Sequence, residues 1–208
     1  MKVYREFKQL SGEWWEARRA KPSASCFHKI MTPKTGKLSA SADEYIDDLI
    51  AERLCLLPNY FTVLGRPISQ DMQRGIDNEP EARRYFEMIA EVNVEQVGGC
   101  ETDDGRFWCS PDGLVGTEFG VEIKCPRLST QVKYLRDNDA LLDDYRCQVH
   151  GSLIVTGLPC WKLLSYSPGA PPVLLTITPD DFTKQLRIAL EVFHEKYAAT
   201  LKRLEVRS

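Results

Sequence analysis

The chain has 208 residues, 43% hydrophobic and 27% charged, with a formal net charge of −3. This composition excludes a disordered or collagenous chain and suffices for one sizeable core. The acidic balance excludes a uniformly basic nucleic-acid binder, and no apolar run approaches the ~20 residues that a membrane helix needs. The amino-terminal stretch MKVYREFKQL lacks an apolar signal core, so a cytoplasmic location is expected. Charge is uneven: residues 1–42 carry a net +6 and residues 43–208 a net −9. A basic arm on an acidic body suits a polyanion bound at one place, although solvated lysines give the same asymmetry by chance. Seven cysteines (26, 55, 100, 109, 125, 147 and 160) include no C-x-x-C pair and read as reduced, buried thiols rather than a zinc or redox site.

In chain order, SGEWWEARRA predicts a helix opening at Ser11 and packing Trp14 and Trp15. SASCFHKIM predicts a second helix with Ser23 as N-cap, and PKTGKLSA a loop. Ser41-x-x-Glu44 is a capping box opening a helix that runs to about Leu56. A helix over 69–90 places Met72, Gly75, Glu79, Ala82, Phe86 and Ile89 on one stripe, and Pro80 allows a break or fresh start near Asn78. From Val92 the pattern turns to strands: VNVEQV, RFWCS, GLVG and GVEIKCP. Helices are expected near 128–137 and 142–156, then strands CWKLLSYS and PVLLTIT. A last helix opens at Thr178-Pro179-Asp180-Asp181, with Leu186, Leu190, Phe193, Tyr197, Leu201 and Leu204 as its stripe. The sum is one α/β or α+β domain around a central mixed sheet.

Chemistry concentrates in SPDGLVGTEFGVEIKCP, residues 110–126. In an alternating strand Val121 and Ile123 face one way, Glu122 and Lys124 the other. Pro-Asp-Gly is a turn signature, so the plain reading is a hairpin with a polar outer face. The same hairpin also brings Asp112 beside Glu122, where two carboxylates repel unless protonated or bridged by a cation. Hard oxygen ligands suit Mg²⁺ or Mn²⁺, with Lys124 near a bound water.

This stretch resembles the PD-(D/E)XK nuclease signature, and in detail that of the YqaJ viral recombinase family, which includes lambda exonuclease. The resemblance implies Asp112 and Glu122 as metal ligands, the Ile123 backbone carbonyl as a further ligand and Lys124 as the catalytic lysine. RGIDNEPEARRYFE resembles the family's helix in which a glycine precedes a metal-site glutamate by four residues, which places Glu79 there. A buried Glu79 paired to Arg83 is the alternative. YRCQVHGSLIVTG is similar to the helix after the catalytic strand, with Gln148 arranging the site and Tyr145 one turn before it; His150 reads as structural. WWEARRAKPSAS resembles the amino-terminal motif that binds a 5′-phosphate, giving Trp14, Arg18 and Ser25. Arg19 competes with Arg18, and Ala20-Lys21-Pro22 stands where the family has glycines. An anion also suits the amino end of a helix starting near Ser23.

The family implies a restriction-endonuclease-like core and one nuclease domain over 1–208: a helical part (1–57), a catalytic core (69–178) and a terminal helix (179–208). It implies an exonuclease with Mg²⁺ or Mn²⁺, two ions per active site, degrading linear double-stranded DNA from 5′ ends and leaving 3′ overhangs for recombination. Its partners are a second and third copy in a homotrimer ring and a single-strand annealing protein, with no membrane. The basic first 42 residues then face the channel. The alternatives are a structure-specific endonuclease of the same superfamily or a non-catalytic DNA-end-binding protein. An iron–sulfur nuclease is disfavoured because Cys160 is the last cysteine.

Overall fold

The computed structural model describes residues 1–54 and 69–205. Strand β1 (Lys2–Tyr4), which the sequence pattern did not announce, precedes helix α1 (Gly12–Arg18). Ser11 caps α1 by accepting from the Trp14 N–H. The helix expected next is a six-residue 3₁₀ helix, Ala24–Lys29, and Ser23 makes no side-chain cap. The cause is tertiary: Ser23 is extended, bridges in parallel to Trp108, and gives its N–H to the Tyr45 hydroxyl. Helix α2 (Ala42–Leu54) follows; its expected end at Leu56 lies outside the described residues. Ser41, expected in a capping box, donates its hydroxyl to the Lys29 carbonyl and so ties α2 to the 3₁₀ helix.

Helix α3 (Gln70–Ala90), capped by Ser69, runs unbroken through Pro80. Pro80 and Ile76, whose carbonyl loses its partner, both lie on the exposed side of the helix, where a missing backbone bond costs least. Of the expected stripe, Ala82 and Phe86 are buried while Met72 and Ile89 face outward. VNVEQV forms no strand; only Glu95 bridges, to Leu114, while Val94 and Val97 are buried.

The single sheet expected from the pattern is two. β2 (Gly99–Glu101) and β3 (Trp108–Cys109) join β1 in an antiparallel sheet ordered β1-β2-β3. β4 (Gly113–Val115), β5 (Phe119–Lys124), β6 (Cys160–Ser165) and β7 (Val173–Ile177) form a four-stranded mixed sheet in that order, with β5 and β6 parallel. The sheets part at Ser110–Asp112, where Pro111 has no N–H to carry the ladder onward. The hairpin turn is Gly116–Glu118, closed by Glu118 N–H to the Val115 carbonyl. Pro-Asp-Gly is therefore not the turn: Gly113 is a strand residue whose bareness admits Val94, since a Cβ would lie 2.0 Å from Val94 Cγ1.

Helices α4 (Leu128–Arg136) and α5 (Asn138–Thr156) make the β5–β6 crossover. The last helix, α6 (Asp181–Glu205), starts later than expected. Asp180 and Thr183 cap it by exchanging backbone N–H bonds, so the cap is not Thr178. Leu186, Leu190, Phe193 and Tyr197 of its stripe are buried against α2, α5 and the 3₁₀ helix, and Leu204 is exposed. Ala82, Phe86, Val94, Val121, Ile123 and Leu164 form a separate cluster on the α3 side of β5. β5 is thus apolar toward α3 and turns Glu122 and Lys124 toward α5.

Of the described cysteines, Cys100, Cys109 and Cys147 are buried as expected; Cys26, Cys125 and Cys160 are only partly covered, and all six are free. No described helix is long and apolar enough to cross a membrane.

Gly99 lets the Trp108 ring lie against the β2 backbone; a Cβ there would be 2.1 Å from Cζ2. Gly99→Ala is expected to lower stability by about 1–3 kcal/mol, the usual cost of overpacking. Thermal melting checks this, with a fall of roughly 2–4 °C per kcal/mol at this chain length.

Candidate active site

The β4–β5 register pairs Gly113 with Val121, so Asp112 stands opposite Glu122 at the end of the hairpin. The Asp112 N–H donates to the Val121 carbonyl, and its carboxylate Oδ2 accepts the Ile123 N–H at 2.6 Å. Lys124 C=O accepts from Tyr166 on the β6 side, so alternation turns the Ile123 N–H and carbonyl to the opposite edge, beside Asp112.

Glu122 is buried. Its Oε1 accepts from Gln148 Nε2 at 2.7 Å and from Lys124 Nζ at 2.7 Å, and Lys124 also reaches Gln148 Oε1 at 3.1 Å. The ammonium lies 4.6 Å from the centre of the Tyr145 ring. Gln148 and Tyr145 share this face of α5 one turn apart, which is why their spacing of three residues works. Tyr145, the aromatic expected one turn before Gln148, thus sits over the lysine.

Burial, Glu122 and then Glu79 push the Asp112 carboxyl well above the usual carboxylate range. Burial alone would pull Lys124 down, but Glu122 and Asp112 outweigh it and hold the ammonium above its ordinary value. Glu79 lies near enough to act on Asp112 electrostatically, yet its side chain forms a close ion pair with Arg83. This is the alternative that the sequence left open. Accordingly, among the described residues no group of three or more His, Cys, Asp or Glu side chains is gathered for a metal.

Two carboxylates and a backbone carbonyl nevertheless fit a hard divalent ion. Glu122 Oε2 is buried with no hydrogen-bond partner, an orphaned acceptor on the edge that Asp112 and the Ile123 carbonyl share. Such an oxygen is costly to bury unless something positive completes it.

The amino-terminal motif is split. The Arg18 guanidinium stacks over Trp14 and Trp15, 4.5 and 5.4 Å from the ring centres. Arg19 is committed to the Glu52 carbonyl at 2.8 Å and to Glu16. Ser25 is exposed, its hydroxyl 3.3 Å from that of Ser23. A 3₁₀ helix of six residues aligns too few peptide dipoles to support the expected helix-end anion site. Ala20 answers the missing glycines: it adopts φ +57°, the left-handed conformation glycine would take. His150 is buried, bonded to Thr183 and packed at a tilt against Phe182, a structural role.

Sequence reasoning missed Ser110, Trp108 and Gln9. Ser110 Oγ accepts from Trp14 Nε1 at 3.0 Å and Trp108 Nε1 at 2.8 Å, and Gln9 Nε2 donates to the Pro111 carbonyl at 2.7 Å. Ser110 carried a signal as the first residue of SPDG, and Trp108 as a bulky residue just before it; Gln9 looks like any surface glutamine.

A protein-family model for the YqaJ-like viral recombinase domain matches residues 13–159. The chain belongs to that family. Among solved structures, this YqaJ-like chain is similar to an alkaline exonuclease from Laribacter hongkongensis, 26% identical over 95% of this chain and 97% of that one, TM-score 0.78. The same enzyme in complex with dAMP is 27% identical over the same shares, TM-score 0.77. A phage-related exonuclease from Haemophilus somnus shares the fold at 12% identity, covering 88% of this chain and 96% of that one, TM-score 0.68. No curated protein sequence matches. The architecture is the PD-(D/E)XK-like fold, and the chain is a nuclease homologous to alkaline exonucleases, which hydrolyse DNA.

Because the Asp112 carboxyl is raised, its contribution to stability is present at low pH and lost as pH rises toward that raised value. In metal-free buffer at pH 8, Asp112→Asn is expected to melt above wild type, the gap closing as pH falls into the carboxylate range. Added Mg²⁺ is expected to raise the wild-type melting temperature more than the variant's. Calorimetry across pH, with and without Mg²⁺, reads both.

Proposed function

We propose that this nuclease is an Mg²⁺-dependent 5′→3′ exonuclease that degrades one strand of linear duplex DNA from phosphorylated 5′ ends and leaves 3′ single-stranded overhangs. The observation that carries the reading is the buried, unpartnered Glu122 Oε2 near Asp112, with Lys124 bonded to the other oxygen of the same carboxylate. Asp112, Glu122 and the Ile123 carbonyl would hold the ion, Mg²⁺ or Mn²⁺, with Glu79 as a further ligand if released from Arg83, and a second ion would share the same carboxylates. Bound there, the ion supplies a water of lowered pKa and charge to offset that on the phosphoryl oxygens.

The chain's own residues do the rest. Lys124, bonded to Glu122 and Gln148, presents its amine to a bound water and to the developing negative charge. Gln148 bonds both Lys124 and Glu122 and so braces the ion pair between them. Arg18, seated over two indoles, offers its guanidinium to a terminal phosphate, and Ser25 a hydroxyl; Arg19 is already occupied. The dAMP complex of the Laribacter enzyme supports a mononucleotide product. A homotrimer ring that passes DNA, and a single-strand annealing protein that takes up the 3′ overhang, complete the proposal on the family resemblance, with one nuclease domain spanning the chain.

The test uses end-labelled linear duplex beside circular duplex, with Mg²⁺ or EDTA, 5′-phosphate or 5′-hydroxyl ends, and Asp112→Ala. Loss from 5′ ends only, intact circles, preference for 5′-phosphate and a variant at least about 10³-fold slower are expected, the scale of losing a charge-stabilising group. Nicked circles would establish a structure-specific endonuclease; end binding without degradation, a non-catalytic end-binding protein.

A further inference from the structure

We infer that the indole N–H groups of Trp14 and Trp108, converging on Ser110 Oγ, are positioning groups that fix the spacing between the terminal-phosphate subsite and the hydrolytic site, and with it a one-nucleotide step. The inference rests on the 5′-exonuclease reading above.

Ser110 stands two residues before Asp112, across Pro111, whose ring restrains the backbone between them. On the other side, Trp14 carries Arg18 on its ring, 4.5 Å away and one helical turn along. Trp108 reaches the same subsite by its backbone: its N–H donates to the Pro22 carbonyl at 3.0 Å, and it bridges to Ser23, two residues before Ser25. Ser110 is thus joined to both candidate phosphate groups and to a candidate metal ligand by stiff paths of a few residues.

The node is rigid. Trp14, Trp108 and Tyr4 form a buried cluster of their own, and Trp108 lies so close to Gly99 that no side chain fits between them. Gln9 holds the Pro111 carbonyl from outside. A serine oxygen accepts two hydrogen bonds, and here two indoles fill both places. Packing alone would need the two rings but not two N–H groups aimed at one oxygen.

Trp108→Phe and Trp14→Phe each keep a ring and delete one N–H. Melting curves first show that each variant is folded; Trp14→Phe decides alone should Trp108→Phe fail to fold. With Mg²⁺ and duplexes bearing 5′-phosphate or 5′-hydroxyl ends, the ratio of kcat/KM for the two ends and the product lengths are measured. The preference for 5′-phosphate is expected to fall roughly tenfold, the scale of one hydrogen bond in a rate, with dinucleotides appearing among the products. Equal slowing on both ends with mononucleotides only would overturn the inference and leave the exonuclease reading standing. A wild-type enzyme that does not degrade from 5′ ends would overturn both.

Discussion

Everything in the site follows from placing two carboxylates, Asp112 and Glu122, opposite each other at the end of a buried hairpin. Like charges about 4 Å apart repel by ~4 kcal/mol at an effective dielectric of about 20, and burial adds several more per ion. The fold answers with the Ile123 N–H on Asp112, Lys124 and Gln148 on Glu122, and a raised Asp112 carboxyl. The answer is incomplete by one acceptor, Glu122 Oε2. That shortfall is what the proposed divalent ion would complete.

The same economy shapes the amino-terminal arm. Its surplus of cations is partly neutralised within the chain: Arg5 pairs with Glu95, Lys21 with the buried Glu101, and Lys29 with Asp48. These pairs fasten the arm to the body at several points. Arg18 is treated differently: it is half-buried over two indole rings, with Glu52 near enough to feel its charge. Charge counting over 42 residues could not separate cations that staple the arm down from one seated over indole rings.

The hairpin, the strand alternation of Val121 to Lys124, and the Tyr145–Gln148 face of α5 were legible because they depend on periods of 2 and 3.6 along one segment. Failures came where distant residues intervene. Ser23 looks like a cap yet is drawn straight by Trp108. Gly113 looks like a turn glycine yet is needed for Val94. VNVEQV alternates as a strand should, but only Glu95 finds a neighbour to pair with.

By itself, the sequence determined the family, the long helices and the strands from Gly113 onward, and the acids and lysine of the motif, since these are properties of residue type and spacing. Tertiary structure decided the rest. It turned Glu79 into Arg83, set Tyr145 over Lys124, gave Arg19 to Glu52 and left Arg18 on its tryptophans. It also brought Trp14 and Trp108 to one serine oxygen, across separations of 96 and 2 residues. Hydrogen bonds and ion pairs act over about 3 Å of space, and no pattern along the chain records which distant groups folding will bring that close.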